Sequence, residues 1–361
     1  LDLGAPAPHR GYRTTRRLMN GGAPHQGSSP IILTPGDPAG IGPEITTALL
    51  AERCNDKKIR PILIGCAATI EATSRRRGLD LEIRRHSILD REALSAGGID
   101  VYDPGTFDAT VVKPGEVSRD AGKASMLYNR QGAELAMADK IDGLVTSPVT
   151  KASAKMAGYD YPGQAEYFAE LAGDVAFSTI LIWRNFKAAL FTTHTPLIEA
   201  CRAVTKDNLL KKIRYLHEKR FELGAPDLRL AVASLNPHAG EFGTMGREEI
   251  DEMEPAIAEA RAEGIAVDGP FPVNALISPP YNGRDYDLTL ALYHDQVVAR
   301  MNMNETTTLT FGLPFIRTSV GHGSALDIAG KDIADYGALG ATYDHTADLA
   351  QARRNNRKTA L

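Results

Sequence analysis

The chain has 361 residues, of which 43% are hydrophobic and 24% are charged, and its formal net charge at pH 7 is −4. This composition is typical of a folded globular protein and excludes a disordered or fibrous one. The slightly negative charge offers no basic face to phosphates, and no apolar run approaches the roughly 20 residues of a membrane span, so we expect neither a nucleic-acid partner nor a membrane.

Residues 1–29 are rich in Gly, Pro, Ser and Arg and carry no helical or strand period, which predicts a flexible N-terminal extension. The folded chain then opens with an apolar run at 31–33, a Gly/Pro-rich segment at 35–44 and a helical stretch at 45–50. This order predicts a strand, a loop and a helix.

The same alternation continues to the end of the chain. Further strands are predicted at 60–65, 141–147, 180–183, 188–191, 228–233, 288–293 and 309–311, and helices at 209–223 and 247–262. The pattern predicts an α/β protein with mostly parallel sheets. Its length favours two domains, one of residues 30–160 with 319–361 and one of residues 161–318, with an active-site cleft between them.

Three cysteines, Cys54, Cys66 and Cys201, lie far apart and form no CxxC pair. Their spacing is typical of a reducing compartment and excludes a thiolate zinc site. Without a signal core or a membrane span, the expected location is the cytoplasm.

Three histidines, His194, His238 and His294, each follow a predicted strand. Ligands of open α/β sheets bind beyond the carboxyl ends of the strands, so these residues are candidates for one shared site. A single histidine in such a place is as often structural as functional. Three imidazoles with an open position are a common catalytic metal site, and we therefore predict a metal centre.

A second motif runs from residue 319 to 331 and reads SVGHGSALDIAGK. Its small residues allow a ligand to approach the backbone, and Asp327 could accept hydrogen bonds from ribose hydroxyls. The segment resembles the adenosine-binding segment of isopropylmalate and isocitrate dehydrogenases, which bind NAD without a GxGxxG motif. That resemblance implies cofactor-binding roles for Gly321, His322, Gly323, Ser324 and Asp327.

Five motifs occur in order along the chain: GDPAGIGPE at 36–44, VTSPVTK at 145–151, NPHAGE at 236–241, YHDQ at 293–296 and GLPFIRTS at 312–319. Together they resemble the PdxA family, whose founding members are 4-hydroxythreonine-4-phosphate dehydrogenases. The resemblance extends from about residue 31 to the 340s. It implies a two-domain fold like that of isopropylmalate and isocitrate dehydrogenases.

The resemblance also implies an activity. Family members oxidise a secondary alcohol with NAD or NADP, and the resulting β-keto acid can lose carbon dioxide. It makes His194, His238 and His294 ligands of a divalent metal, with one ligand supplied by the second subunit of a homodimer. Zinc is the expected ion, and nickel, cobalt, manganese and magnesium are alternatives.

Lys151 and Asp295 are the candidates for accepting the proton of the substrate hydroxyl, because both lie in motifs that follow a strand. Each has an alternative role. Lys151 could form a salt bridge at a helix start, and Asp295 could orient a metal-bound imidazole.

The chain departs from the family pattern where the substrate binds. Gln164 and Ala165 replace a His-Thr pair, and Asn302 and Thr308 stand where the family has a lysine and an asparagine directed at the substrate phosphate. Of the cationic set only Arg317 remains. Losing an ammonium forfeits a charge-assisted hydrogen bond, so we expect an unphosphorylated hydroxy acid or a carboxylated cis-dihydrodiol, such as terephthalate 1,2-cis-dihydrodiol.

Two alternatives stay open. The chain could be a 4-hydroxythreonine-4-phosphate dehydrogenase of pyridoxine biosynthesis, or a related phosphosugar-acid dehydrogenase, if Arg317 and backbone amides suffice to hold the phosphate. It could also be a catalytically silent metabolite-binding relative, against which the three intact histidines argue.

Overall fold

The computed structural model describes residues 30–54, 61–79, 81–87, 98–105, 107–108, 111–278, 280–281 and 284–359. The predicted N-terminal extension at 1–29 lies outside these residues. No helix in the described ranges is both long and apolar enough to cross a membrane.

Twelve strands join in one sheet among the described residues. They are β1 Ile31–Thr34, β2 Ile62–Ile64, β3 Ile83–His86, β4 Ile99–Tyr102, β5 Gly143–Thr146, β6 Ser178–Trp183, β7 Phe186–Leu190, β8 Leu230–Ala233, β9 Val267–Phe271, β10 Leu288–Ala291, β11 Thr306–Phe311 and β12 Arg317–Val320.

The helices cover both faces of this sheet. They are α1 Gly42–Arg53, α2 Ala67–Arg76, α3 Arg119–Met137, α4 Lys151–Met156, α5 Gln164–Leu171, α6 Leu197–Ala203, α7 Lys206–Glu218, α8 Glu254–Ala262, α9 Val273–Leu276, α10 Asp295–Val298 and α11 Gly337–Thr359. Short 3-10 turns occupy Arg220–Leu223, Pro237–Gly243 and Met303–Glu305, and a π turn at Glu249–Met253 precedes α8.

The strand order is β3-β4-β2-β1-β5-β12-β11-β6-β7-β10-β8-β9. Eight of the eleven strand pairs in the described residues are parallel, and the three antiparallel pairs, β12–β11, β11–β6 and β6–β7, lie together at the centre. The predicted α/β class with mostly parallel strands is therefore confirmed. The two halves share one continuous sheet, because β11 and β12 join them.

The predicted domain boundary at residue 319 falls inside β12, which pairs with β5 on one side and with β11 on the other. The division into two domains stays a prediction. Separate buried clusters nevertheless pack in each half. One surrounds Leu230 and Leu290 under α7 and α8, and another surrounds Ile45 and Leu63 under α1 and α2.

Most predicted strands coincide with observed ones because parallel strands buried on both faces read as continuous apolar runs. The prediction missed β3, β4, β9 and β12. Both β3, with the sequence IRRH, and β12, with the sequence RTSV, are largely polar, although all four residues of β12 are buried. They form strands because β3 pairs with β4 and β12 pairs with β5 and β11, and their own sequences show no hydrophobic alternation.

Candidate active site

The loop between β1 and α1 packs against the segment that follows β5. The Asp37 N–H donates to the carbonyl of Pro148 at 2.9 Å. Gly36 has a φ of +66°, and a side chain there would place Cβ only 2.1 Å from the Pro148 oxygen. The glycine of the GDPAG motif is therefore required by this close approach of two strand ends.

The glycine-rich motif after β12 joins the same contact. The Ile41 N–H donates to the Ser324 carbonyl at 2.9 Å, and the Thr150 hydroxyl donates to the Ser324 hydroxyl at 2.9 Å. Ser324 is thus a buried connector of three loops, and it does not line the cleft described next.

A cleft of about 620 Å³ opens where these loops meet the second half of the sheet. Most of the predicted site residues line it: Lys151, Gln164, Ala165, His194, His294, Thr308, Arg317, Gly321, His322 and Gly323. The remaining predicted residues, His238, Asp295, Asn302, Ser324 and Asp327, are not part of its lining. A single chain therefore brings together two of the three histidines and most of the predicted substrate and cofactor residues.

Arg317 lies at the buried end of the cleft, at the start of β12, and is 2% exposed. Its two terminal nitrogens donate to the hydroxyls of Thr310, at 2.9 Å, and Thr146, at 2.6 Å, while its Nε atom has no protein partner among the described residues. The guanidinium lies over the Phe168 ring, 4.8 Å from its centroid.

The charge of Arg317 is poorly compensated within the described chain. Burial lowers the pKa of Arg317 to about 9, and Glu166 opposes that shift only in part. No carboxylate of the described residues forms an ion pair with it, so its hydrogen-bond partners are neutral hydroxyls. A buried cation of this kind favours an anionic ligand, which would restore the lost solvation.

Gln164, at the start of α5, lines the cleft but is tied to the core. Its Oε1 atom accepts from Asn129 Nδ2 at 2.9 Å, and Asn129 in turn accepts from the Thr34 hydroxyl at 2.9 Å. Its Nε2 atom makes a long contact of 3.4 Å with the Ser147 carbonyl. The side chain predicted to contact substrate thus holds α5 against β1 and β5.

His194 and His294 face each other across the cleft, with ring centroids 6.2 Å apart. The backbone brings them together, because the N–H of Phe191, just after β7, donates to Ala291 at the end of β10 at 2.8 Å. His294 Nδ1 contacts Asp295 Oδ1 at 2.8 Å, which leaves Nε2 free to bind a ligand.

His238 lies on an unusual left-handed turn after β8. Five successive residues, His238 to Phe242, have φ between 40° and 73°, and four of them are not glycine. The turn is held by the buried Glu249, whose Oε1 accepts the N–H groups of Leu235 and Asn236 at 2.8 and 2.7 Å and whose Oε2 accepts Asn236 Nδ2 at 2.8 Å.

No group of three or more His, Cys, Asp or Glu side chains within the described ranges is arranged to hold a metal ion. The predicted three-histidine set is thus not assembled in these residues of one chain. Two imidazoles in facing positions, one with its second nitrogen held by a carboxylate, still suit a borderline metal. Metal–nitrogen bonds of about 2.1 Å place the centroids of two ligating rings at most roughly 6.5 Å apart, and the 6.2 Å between His194 and His294 lies within this limit.

The other predicted residues outside the cleft have local roles. Asn302 caps the 3-10 turn that follows it, accepting the Asn304 N–H at 3.1 Å, and Asp327 is exposed. Lys151 is exposed at the start of α4 and has no ion pair among the described residues, so the predicted helix-start salt bridge is not observed. Asp295 is 84% exposed, and its contact is with His294.

Two further groups line the cleft that no sequence motif indicated. Lys212, on α7, lines it, as do Tyr159 and Tyr161, whose rings pack against Tyr167 at centroid distances of 5.8 and 5.1 Å. Gln296 belongs to the YHDQ motif, and its role is visible only in the structure. Its side chain accepts the Leu292 N–H and donates to the Ser234 carbonyl, both at 2.7 Å, and so joins the ends of β10 and β8.

Comparisons with known proteins agree with this architecture. A family model described as "Pyridoxal phosphate biosynthetic protein PdxA" matches residues 57–345. A protein of Symbiobacterium thermophilum named "Putative D-threonate 4-phosphate dehydrogenase" is 36% identical over 328 residues, covering 90% of this chain and 98% of the relative.

Solved structures extend the likeness to the fold. A 4-hydroxythreonine-4-phosphate dehydrogenase from Klebsiella pneumoniae superposes with a TM-score of 0.81 at 32% identity, covering 90% of this chain and 100% of that one. A terephthalate 1,2-cis-dihydrodiol dehydrogenase from Burkholderia xenovorans gives a TM-score of 0.58 at 27% identity, covering 87% of this chain and 98% of that one.

The relatives are named as dehydrogenases, which supports oxidoreductase activity on a CH–OH group. The family model spans most of the chain, and four of the five motifs lie within the matched region, while GDPAGIGPE at 36–44 precedes it. The chain belongs to the PdxA family.

Proposed function

We propose that the chain oxidises the secondary alcohol of a phosphorylated hydroxy acid, of the D-threonate 4-phosphate or 4-hydroxythreonine 4-phosphate type, with NAD or NADP and a divalent metal. The observation that carries the proposal is the buried, poorly compensated Arg317 in the same cleft as His194 and His294. An oxidation site and an anion site in one cleft fit a substrate that has a hydroxyl and a phosphate.

This proposal revises the substrate expected from the sequence. The comparisons favour the phosphorylated alternative over the cis-dihydrodiol, since the relatives with the higher identity are named for phosphorylated substrates. A guanidinium can also bind a phosphate through two hydrogen bonds, so the loss of a lysine at Asn302 does not exclude a phosphate.

His194 and His294 are the proposed metal ligands in one chain, with Asp295 holding the His294 ring in the orientation that presents Nε2. A divalent ion bound there would act as a Lewis acid that lowers the pKa of the substrate hydroxyl. We further propose that the three-histidine set including His238 is completed across a homodimer. Zinc is the proposed ion, and imidazole ligands also accept nickel, cobalt or manganese.

The glycine-rich segment Gly321-His322-Gly323 is the proposed wall for the dinucleotide. A side chain at Gly323 would meet no atom within 4 Å, so the backbone here faces open space in the cleft. Such a bare backbone lets a flat cofactor approach closely.

Lys151 is the proposed partner of the reacting hydroxyl, because its side chain reaches the cleft without an ion pair in the described residues. In this scheme Lys151 would accept the hydroxyl proton, and a nicotinamide held along Gly321–Gly323 would supply the hydride acceptor. The β-keto acid then loses carbon dioxide as its C–C bond breaks and the electron pair enters the enolate, which is protonated to the ketone.

The test is NAD(P) reduction by the purified protein with added zinc, manganese or cobalt. D-threonate 4-phosphate and 4-hydroxythreonine 4-phosphate are compared with unphosphorylated D-threonate and with terephthalate 1,2-cis-dihydrodiol, and released carbon dioxide is measured in parallel. Turnover of a phosphorylated acid is expected. Preferential turnover of the dihydrodiol would overturn the proposal, and no turnover of any substrate with any metal would favour the silent metabolite binder.

A further inference from the structure

We propose that Lys212 is the second cation of the substrate-phosphate site and takes the place of the family's missing lysine at Asn302. This inference rests on the proposed function and assigns a residue to the phosphate. It depends on where α7 packs, on the environment of the ammonium group and on the lack of a protein anion beside it.

Lys212 lies on an amphipathic helix whose apolar side is buried. Leu209, Ile213 and Leu216 pack into the core under the second half of the sheet, and Lys211 is exposed to solvent. Lys212 lies between these two surfaces and is only partly exposed. Its long stem can follow apolar surface while the ammonium reaches the cleft, which it lines together with Arg317 and His194.

The Lys212 ammonium donates to the hydroxyl of Ser178 at 2.7 Å, and it lies 5.9 Å from the centroid of the Tyr215 ring. Both partners are neutral. Burial alone lowers the pKa of Lys212 to about 8, and no carboxylate among the described residues offsets it. An anion bound beside the ammonium would remove this penalty.

The hydroxyls that hold Lys212 and Arg317 belong to neighbouring rungs of one strand pair. Ser178 is paired with Phe311, and Thr179 is paired with Thr310, which accepts from Arg317. Successive residues of a strand point to opposite faces, yet both Ser178 and Thr179 line the cleft. The cleft lining therefore includes both faces of the sheet at the start of β6. Lys212 contacts Ser178 on one face, and Arg317 contacts Thr310, the partner of Thr179, on the other.

Two cations without an ion-paired carboxylate among the described residues suit a dianion better than a monoanion. A phosphate monoester is largely dianionic at pH 7, because its second pKa is about 6. A hydroxy acid with one carboxylate and no phosphate carries a single negative charge. The charge of the cleft therefore favours a phosphorylated hydroxy acid over the same acid without phosphate, and in this assignment Arg317 and Lys212 both bind the phosphate.

The test compares Lys212→Met, Lys212→Arg and the matched control Lys211→Met. Binding of inorganic phosphate is measured by titration calorimetry at pH 7, and KM and kcat are measured for the phosphorylated and unphosphorylated acids and for NAD. Lys212→Met is expected to weaken phosphate binding and raise KM for the phosphorylated acid by about 10- to 100-fold, with kcat little changed. Lys212→Arg should retain most of the affinity, and Lys211→Met should match the wild type.

Three outcomes would overturn the assignment. They are unchanged phosphate binding in Lys212→Met, an equal loss for phosphorylated and unphosphorylated acids, or an effect on the KM for NAD alone. The calorimetry keeps this inference separate from the proposed function. If the wild type binds phosphate through Lys212 but oxidises no phosphorylated acid, the proposed function fails and the anion site stands.

Discussion

Two regions of the candidate site are built differently, an anion floor at the buried end of the cleft and a histidine rim, of which His238 lies outside the cleft lining. The anion floor, formed by Arg317, Thr146, Thr310 and Phe168, is buried, and its polar contacts come from adjacent strands of the central sheet. The histidine rim, formed by His194, His238 and His294, lies on loops beyond β7, β8 and β10, and its rings are partly or largely exposed. The floor residues all contact Arg317 within one chain, whereas only two of the three rim histidines lie together in the described residues of that chain.

This difference separates the residues proposed to bind the substrate anion from those proposed to bind the metal. A buried guanidinium held by two hydroxyls cannot move without breaking those hydrogen bonds, so the position of the anion is set in advance. The rim loops depend on a few side-chain anchors, such as Glu249 and Gln296, and on the proposed metal and second subunit. Substitutions in the floor should therefore change the KM for the substrate, and substitutions in the rim should change bound metal and kcat.

The largest effect is expected for His194→Ala and His294→Ala. Residues that only support a metal ligand typically cost about 10- to 100-fold when changed, so losing a direct ligand should lower kcat by more than about 100-fold. Bound metal is measured by mass spectrometry in each variant, with His217→Ala, outside the cleft, as the control. A wild type that is active without any divalent metal would contradict this role of the rim.

The second-largest effect is expected for substitution of Arg317 in the anion floor. Arg317→Met should raise the KM for the phosphorylated acid by about 10- to 100-fold, which corresponds to one or two charge-assisted hydrogen bonds, while metal content stays at the wild-type level. Arg317→Lys keeps the charge but loses the planar fork, so it should rescue only part of the affinity. A fall in bound metal in Arg317→Met would show that floor and rim are not independent.

A smaller effect is expected for Glu249→Gln, because Glu249 holds the turn that carries His238 and is not itself a proposed metal ligand. An amide keeps one acceptor but turns a donor towards the Asn236 amide or N–H, so the left-handed turn that carries His238 should loosen. Metal affinity is expected to fall about tenfold, with KM for phosphate-bearing substrate unchanged at saturating metal. Asp251→Asn, in the exposed Arg247–Asp251 pair nearby, is the control and should have little effect.

The smallest effect concerns stability and pH. Because burial lowers the folded-state pKa of Lys212 from 10.5 to about 8, charging this lysine opposes folding. Its contribution to the free energy of unfolding is therefore unfavourable below pH 8 and is lost as the pH rises from about 8 to 10.5. Relative to Lys212→Met, the wild type should be less stable at pH 7 in urea unfolding and should approach the variant at pH 10. A wild type that is the more stable of the two at pH 7 would indicate a structural role for the ammonium.

Much of the cleft could be predicted from the sequence. Apolar runs located the buried parallel strands, and the rule that ligands bind beyond strand ends selected Lys151, His194 and His294. The resemblance to an adenosine-binding segment selected Gly321–Gly323, and all of these residues line the cleft. Two other predicted site residues have structural contacts that the residue pattern did not indicate, and their ligand roles stay predictions. Asn302 caps a turn, and Ser324 connects three loops, because neither role leaves a mark in the residue pattern.

By itself the sequence determined the α/β class and the motifs, because these follow from local hydrophobic period and from residue types near each other in the chain. It singled out Arg317 by resemblance, and only the tertiary structure decided that this arginine is buried. Only the tertiary structure decided that β11 and β12 join both halves in one sheet and that Glu249 holds the His238 turn. The same is true of Lys212. A lysine on a helix usually faces solvent, and its place in the cleft depends on packing that brings α7 against Ser178, 34 residues away in the chain.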